Sequence, residues 1–174
     1  MMPFASQDQH VLDTLVAIFA AYLLALPLGW ERKVAGAAHV GLRTLPLVSV
    51  GTCAYLLIGR YLYERGIFDA DGQARSLRAM MTGIGFIGGG AILKDAAHAK
   101  GVGGVTTAAS IWTTGAIGAS IAHGYYTVAA VLTLTSLFVL EITGKLVARR
   151  NAAGDRRGSS AKRRRGAREP RAIR

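Results

Sequence analysis

Gly83, Gly85 and Gly88, in the stretch MMTGIGFIGGGAILK at 80–94, stand at the G-x-G-x-x-G spacing by which a Rossmann turn brings its backbone up to a pyrophosphate. That chemistry requires a strand before the first glycine, a helix opening at the last, and an acidic residue about 20 positions on to hold a ribose. The preceding residues, RSLRAMMT, show no strand alternation, and twenty positions beyond Gly88 stand Ala108, Ala109 and Ser110 inside an apolar run. The partners of a nucleotide site are missing. The same glycines read as a helix-packing surface: Gly85 and Gly89 form GxxxG, where absent side chains let a neighbouring helix approach, and Gly88 and Gly90 loosen the segment further.

The next segment repeats this composition. Gly103, Gly104, Gly115 and Gly118 alternate with Thr106, Thr107, Ser110, Thr113, Thr114 and Ser120, around Trp112. Hydroxyls in hydrocarbon either bond back to their own helix and pack, or two glycine-interrupted segments in succession line a polar path or ligand site. Both readings stand at this level. Glu31 and Arg43 flank one short loop, where they either pair and clamp the first two helices or stand solvated. Arg75 and Arg78 head the glycine segment, placed to hold an anion or to snorkel to headgroups. Glu141 has Lys145 at i+4, a pairing that lowers its cost in a span. His39, His98 and His123 fall in different loops and Cys53 is the single cysteine, so neither a shared metal site nor an intramolecular disulfide is expected. There is no nucleophile with a base, no carboxylate pair on one helix face and no Walker lysine. Neither an enzyme nor a cofactor is expected.

The elements that position these residues are apolar helices. Runs at 11–29, 45–63, about 79–93, about 103–122 and about 125–147 approach the roughly 20 residues that cross a bilayer, and predict an all-α, polytopic bundle of five spans. The third is the shortest, roughly 24 Å over 79–94 at about 1.5 Å per residue. No Lys or Arg precedes Arg32, so the first run reads as a retained helix rather than a cleaved signal. Of the formal net charge of +11, the segment 149–174 carries +9; residues 1–148 form the transmembrane domain and 149–174 a disordered polybasic tail. With that tail in the cytoplasm, 17 basic residues fall inside and 4 outside, which orients the chain N-terminus out and C-terminus in. Beside a membrane the tail favours anionic headgroups; it lacks aromatics for stacking on bases, so nucleic acid is a poor partner.

Three motifs together resemble a known family. Gly29, Glu31 and Arg32 (G-x-E-R) followed by Gly41 to Thr44 (G-L-R-T), Gly83 to Gly90 (G-I-G-F-I-G-G-G), and Gly104 to Trp112 (G-V-T-T-A-A-S-I-W) are similar in order and spacing to the membrane domain of the MgtC/SapB family over about 29–126. The resemblance implies a bacterial inner-membrane protein, associated with growth under magnesium limitation and with pathogen survival inside macrophages, acting by restraining the membrane ATP synthase rather than by carrying magnesium. The chain departs from the pattern at Leu45, where members often have histidine, and at Gly72-Gln73, where Asp-Pro often precedes the arginine matched by Arg75. It looks like the short, membrane-only branch, without the C-terminal regulatory domain of the ACT type.

The expectation is therefore a regulator that contacts another membrane complex, by the resemblance the ATP synthase, through small-residue helix faces. The rival is a transporter or channel subunit for a cation such as Mg²⁺ or a small solute, with the third and fourth segments lining its path. A self-associating scaffold, a homo-oligomer through the glycine face, is the third reading.

Overall fold

The computed structural model describes residues 4–34, 41–96 and 104–145. Every regular element among them is an α-helix: α1 (Phe4–Val34), α2 (Thr44–Glu64), α3 (Ala70–Ala96), α4 (Val105–Ala122) and α5 (Tyr126–Lys145). The all-α architecture is as expected. Four of the helices, α1, α2, α3 and α5, are long and apolar enough to cross a membrane, which makes this a membrane-embedded protein. The polybasic segment 149–174, with its headgroup partner, lies outside the described residues, as do His39, His98 and Lys100.

The remaining helix, α4, is 18 residues long, about 27 Å. It is rich in Gly, Ser and Thr and packs against α1, α2 and α3, burying Ile111, Ile117 and Ile121 together with Thr107, Ser110 and Thr114. Lipid would not solvate so many hydroxyls cheaply, and the buried ones, Thr107, Ser110 and Thr114, lie against the other helices. On α1 the seam toward the core is small, Ala17, Ala21 and Ala25 ahead of Leu28, so backbones approach and dispersion contacts accumulate. From α2 come Leu45, Cys53, Leu56 and Leu57; Cys53 is a buried free thiol, packed as a small hydrophobe.

The glycine segment is longer than its apolar composition suggests. Rather than starting near residue 79, α3 starts at Ala70 and runs for 27 residues, about 40 Å, long enough to span. Asp69 supplies the physical reason: as the N-cap, its Oδ1 accepts the backbone N–H of Gly72, the third helical residue, at 2.6 Å, and the regular i→i−4 bonds begin with Gln73 N–H on Asp69 O. Arg75 and Arg78 accordingly lie within the first three turns of α3, not above it. Gly83, Gly85 and Gly88 are mid-helix, which disposes of the phosphate-turn geometry.

Both α2 and α4 end in the same way. Gly66 (φ 70°) and Gly124 (φ 80°) take up the left-handed conformation just past each helix, and Ile67 N–H and Tyr125 N–H reach back to the carbonyls of Leu62 (2.9 Å) and Ser120 (2.8 Å). Short turns of this kind reverse the chain between consecutive helices.

By its contacts the chain divides into two units, Met1–Leu137 and Phe138–Arg174, the boundary falling within α5. In the first, Thr133 Oγ1 on α5 donates to Leu24 O on α1 (3.1 Å). In the second, the described stretch is 138–145, where Lys145 Nζ lies 2.9 Å from Glu141 Oε2, the i+4 pair read from the sequence.

Candidate functional site

The motif residues collect where α1 ends, α2 begins and α3 hands over to α4. Gly29 lies against the chain entering α2: a Cβ there would stand 3.1 Å from Leu42 Cα and 3.2 Å from Gly41 O. Gly104, the residue before α4, has φ 78°, and a Cβ on it would come within 2.7 Å of Ala91 O and 2.9 Å of Ile92 Cα on α3. No other residue fits there without displacing backbone. With α4 so placed, Arg32 Nη2 donates to Thr107 Oγ1 at 3.1 Å across 75 residues of sequence. On the same last turn of α1, Arg32 Nε and Glu31 Oε2 are buried and have no hydrogen-bond partner among the described residues. A cation with unused capacity thus sits on a buried threonine at one end of the bundle, and the residue before it in the chain is an acid whose buried oxygen is also unpartnered among the described residues.

Glu31 and Arg43 do not pair: among the described residues no ion pair joins them, and Arg43, exposed at the start of α2, makes no side-chain cap. Thr44 opens α2 and is half-buried. Thr106 is exposed and Trp112 is 51% exposed. Arg75 faces carboxylates of its own chain, Asp69 at 3.5 Å and Asp71 at 4.0 Å, all highly exposed, and Arg78 is exposed one turn on. Surface pairs of this kind stabilise little. Arg32, rather than Arg43, is the cation the fold brings to the motif cluster, and the signal for it was its place in G-x-E-R on the last turn of α1.

The six glycines read together as packing residues separate into two groups. Gly88 packs internally, a Cβ on it meeting Ala108 Cβ at 3.5 Å, and Gly104 does so against α3. A Cβ on Gly83, Gly85, Gly89 or Gly90 meets nothing within 4 Å among the described residues. At about 100° per residue, Ile84 and Gly88 point to the bundle, while Gly85 and Gly89 lie on one side of Phe86 and Gly83 and Gly90 on the other. Phe86 is 85% exposed and Leu93 74%. The open face of α3 is a ridge with a glycine notch on either flank.

The hydroxyls of α4 mostly bond within α4. Ser110 Oγ donates to Thr106 O (2.8 Å), Thr113 Oγ1 to Ala109 O (2.9 Å), Thr114 Oγ1 to Ser110 O (2.7 Å) and Ser120 Oγ to Ala116 O (2.8 Å). This is the packing arrangement, in which a hydroxyl is satisfied one turn back.

Residues 18–149 match the model of the MgtC family. The chain belongs to that family. It is 32% identical over 140 residues to the protein named "Putative magnesium transporter YhiD" of Escherichia coli K12, covering 79% of this chain and 63% of that protein. It is 31% identical over 129 residues to Protein SrpB of Synechococcus elongatus (71% and 70%), and 29% identical over 134 residues to Protein MgtC of Brucella abortus (77% and 52%). This MgtC-family chain thus spans less than two thirds of the length of the E. coli relative and about half that of the Brucella one. No solved structure matches it.

The Arg32–Thr107 bond is testable by itself. Arg32→Ala is expected to destabilise the fold in detergent micelles by about 1.5–3 kcal/mol, the range for a hydrogen bond to a charged group. Lysine, a point charge without the planar fork, should not restore it. In a cycle with Thr107→Val the two losses should be non-additive by at least about 0.5 kcal/mol; additive losses would show that the contact contributes nothing.

Proposed function

We propose that this MgtC-family chain is a regulatory protein of the bacterial inner membrane that docks the open face of α3 against a helix of another membrane complex. The family resemblance makes the ATP synthase the partner of choice, and growth under magnesium limitation the setting. The carrying observation is the open glycine face. Glycine costs a helix roughly 1 kcal/mol relative to alanine in soluble hosts, and four of the glycines of α3 are not packed against any of the described residues. A partner helix seated on Gly85 and Gly89, or on Gly83 and Gly90, would recover it through close backbone approach. With α4 counted as the fifth crossing, the charge distribution supports a cytoplasmic C-terminus and an external N-terminus.

The name of the E. coli relative raises transport as the second reading. Against it stand the hydroxyls of α4, whose donors are taken up by carbonyls of the same helix. Purified full-length chain in sealed liposomes distinguishes the two. The regulator reading expects Mg²⁺ entry, followed by an internal indicator dye, to match that of empty liposomes. Protein-dependent entry that saturates with Mg²⁺ would overturn it.

A further inference from the structure

Between α3 and α4, away from the Arg32–Thr107 bond, lies a cavity of about 260 Å³. Leu77, Met80 and Ile84 of α3 face Trp112 and Ala116 of α4 across it, and its lining is almost wholly apolar. The void is larger than the roughly 150 Å³ that stays dry and takes up benzene in a soluble protein. Trp112 and Met81, both on its lining, are about half exposed, so it opens sideways to the medium around the helices, which for a membrane-embedded bundle is hydrocarbon.

One end of the cavity is polar. Ser120 there donates to its own helix, whereas His123 Nε2 is buried and has no hydrogen-bond partner among the described residues. His123 closes α4 and is followed by Tyr125 and Tyr126, aromatics of the kind that sit at the headgroup level. Beside it Arg60 Nη1 donates to Ala122 O at 3.1 Å, and Arg60 Nε stands 3.2 Å from Glu64 Oε1 in an ion pair. An apolar slot thus reaches into the bilayer with an unused imidazole nitrogen at its interfacial end.

We propose that this cavity binds one acyl chain of a membrane glycerophospholipid, with an ester or phosphate oxygen of the same lipid accepting a hydrogen bond from His123. The shape and the one buried lining nitrogen without a partner among the described residues select a molecule that is apolar along its length and carries an oxygen at its interfacial end. Because Glu64 offsets the charge of Arg60, the site reads the chain and its oxygen rather than headgroup charge. Zwitterionic and anionic lipids should therefore bind alike. A lipid seated here touches both α3 and α4, and so sits where the two helices are held together.

The test uses the full chain in phosphatidylethanolamine–phosphatidylglycerol liposomes doped with a phospholipid that carries a diazirine midway along one acyl chain. After irradiation, adducts are mapped by peptide mass spectrometry. Label is expected to concentrate on 77–84 and 112–120 above the level on the exposed α1 residues Leu15 and Phe19, and to be lost from those segments in Ala116→Phe, which fills the slot, with α1 labelling unchanged. His123→Ala should weaken retention about fivefold, the worth of roughly one hydrogen bond. If Ala116→Phe fails to insert, as altered α1 labelling would reveal, Ala119→Leu takes its place. Label spread evenly over α1, α3 and α4, or label on α3 and α4 indifferent to filling, would overturn the site. Displacement of the probe by an equal mole fraction of free fatty acid would overturn its assignment to a phospholipid.

Discussion

Gly118→Leu is expected to cost the bundle at least about 3 kcal/mol, the upper end of what overpacking does to a core, and to leave little folded protein after extraction into mild detergent. A Cβ on Gly118 would overlap the carbonyl oxygen of Ser49 and come within 2.9 Å of its carbonyl carbon. The obstacle is backbone, so no rotamer change relieves it, and α2 and α4 must separate along the seam that buries Ile117, Ile121 and Cys53. Gly118→Ala already introduces the overlapping atom and should cost about 1–3 kcal/mol. Gly115 offers a contrast in the same helix: its Cβ would meet the tip of Ile84, a flexible side chain that can turn aside. Chemical unfolding in micelles, with helicity followed by circular dichroism, measures both. An unaltered midpoint for Gly118→Leu would contradict the α2–α4 packing described above.

The second large effect falls on interaction rather than stability. Gly85→Leu puts a bulky side chain on a face where a Cβ meets nothing within 4 Å, so the fold should tolerate it and the intrinsic helix preference even improves by roughly 1 kcal/mol. Association with a partner helix should instead be abolished, because the leucine fills the notch beside Phe86 that close approach requires. Equal loss of stability and association would mean that the glycine face works inside the chain. Retained association would mean that it does not form the interface.

The helices were largely legible in the sequence because apolar length and turn glycines mark them independently. The runs at 45–63 and 103–122 recur as α2 and α4 within two residues. The start of α3 was not legible from hydropathy, since its first turns are polar and charged, with Asp71, Arg75 and Arg78. The cap at Asp69 was the local signal, and it is chemical rather than hydrophobic. Within the motifs, spacing could not tell an internal glycine from an external one. Gly88 and Gly89 are neighbours in the chain, yet only Gly88 meets α4. Likewise the partner of Arg32 could not be read along the chain, because Thr107 is 75 residues away and comes within reach only once Gly104 lets α4 lie on α3. The pairing of Glu141 with Lys145, by contrast, needed only the helical period.

The claim that α3 presents its glycine face to another membrane complex is tested most directly by placing a photoreactive benzoylphenylalanine at Phe86, the exposed ridge between the notches, and irradiating intact cells grown under magnesium limitation. A crosslink to a membrane-embedded subunit of the ATP synthase is expected, identified by mass spectrometry and lost when Gly85→Leu is added to a chain that remains folded and inserted. Adducts to lipid alone, or a crosslink that survives Gly85→Leu undiminished, would contradict it.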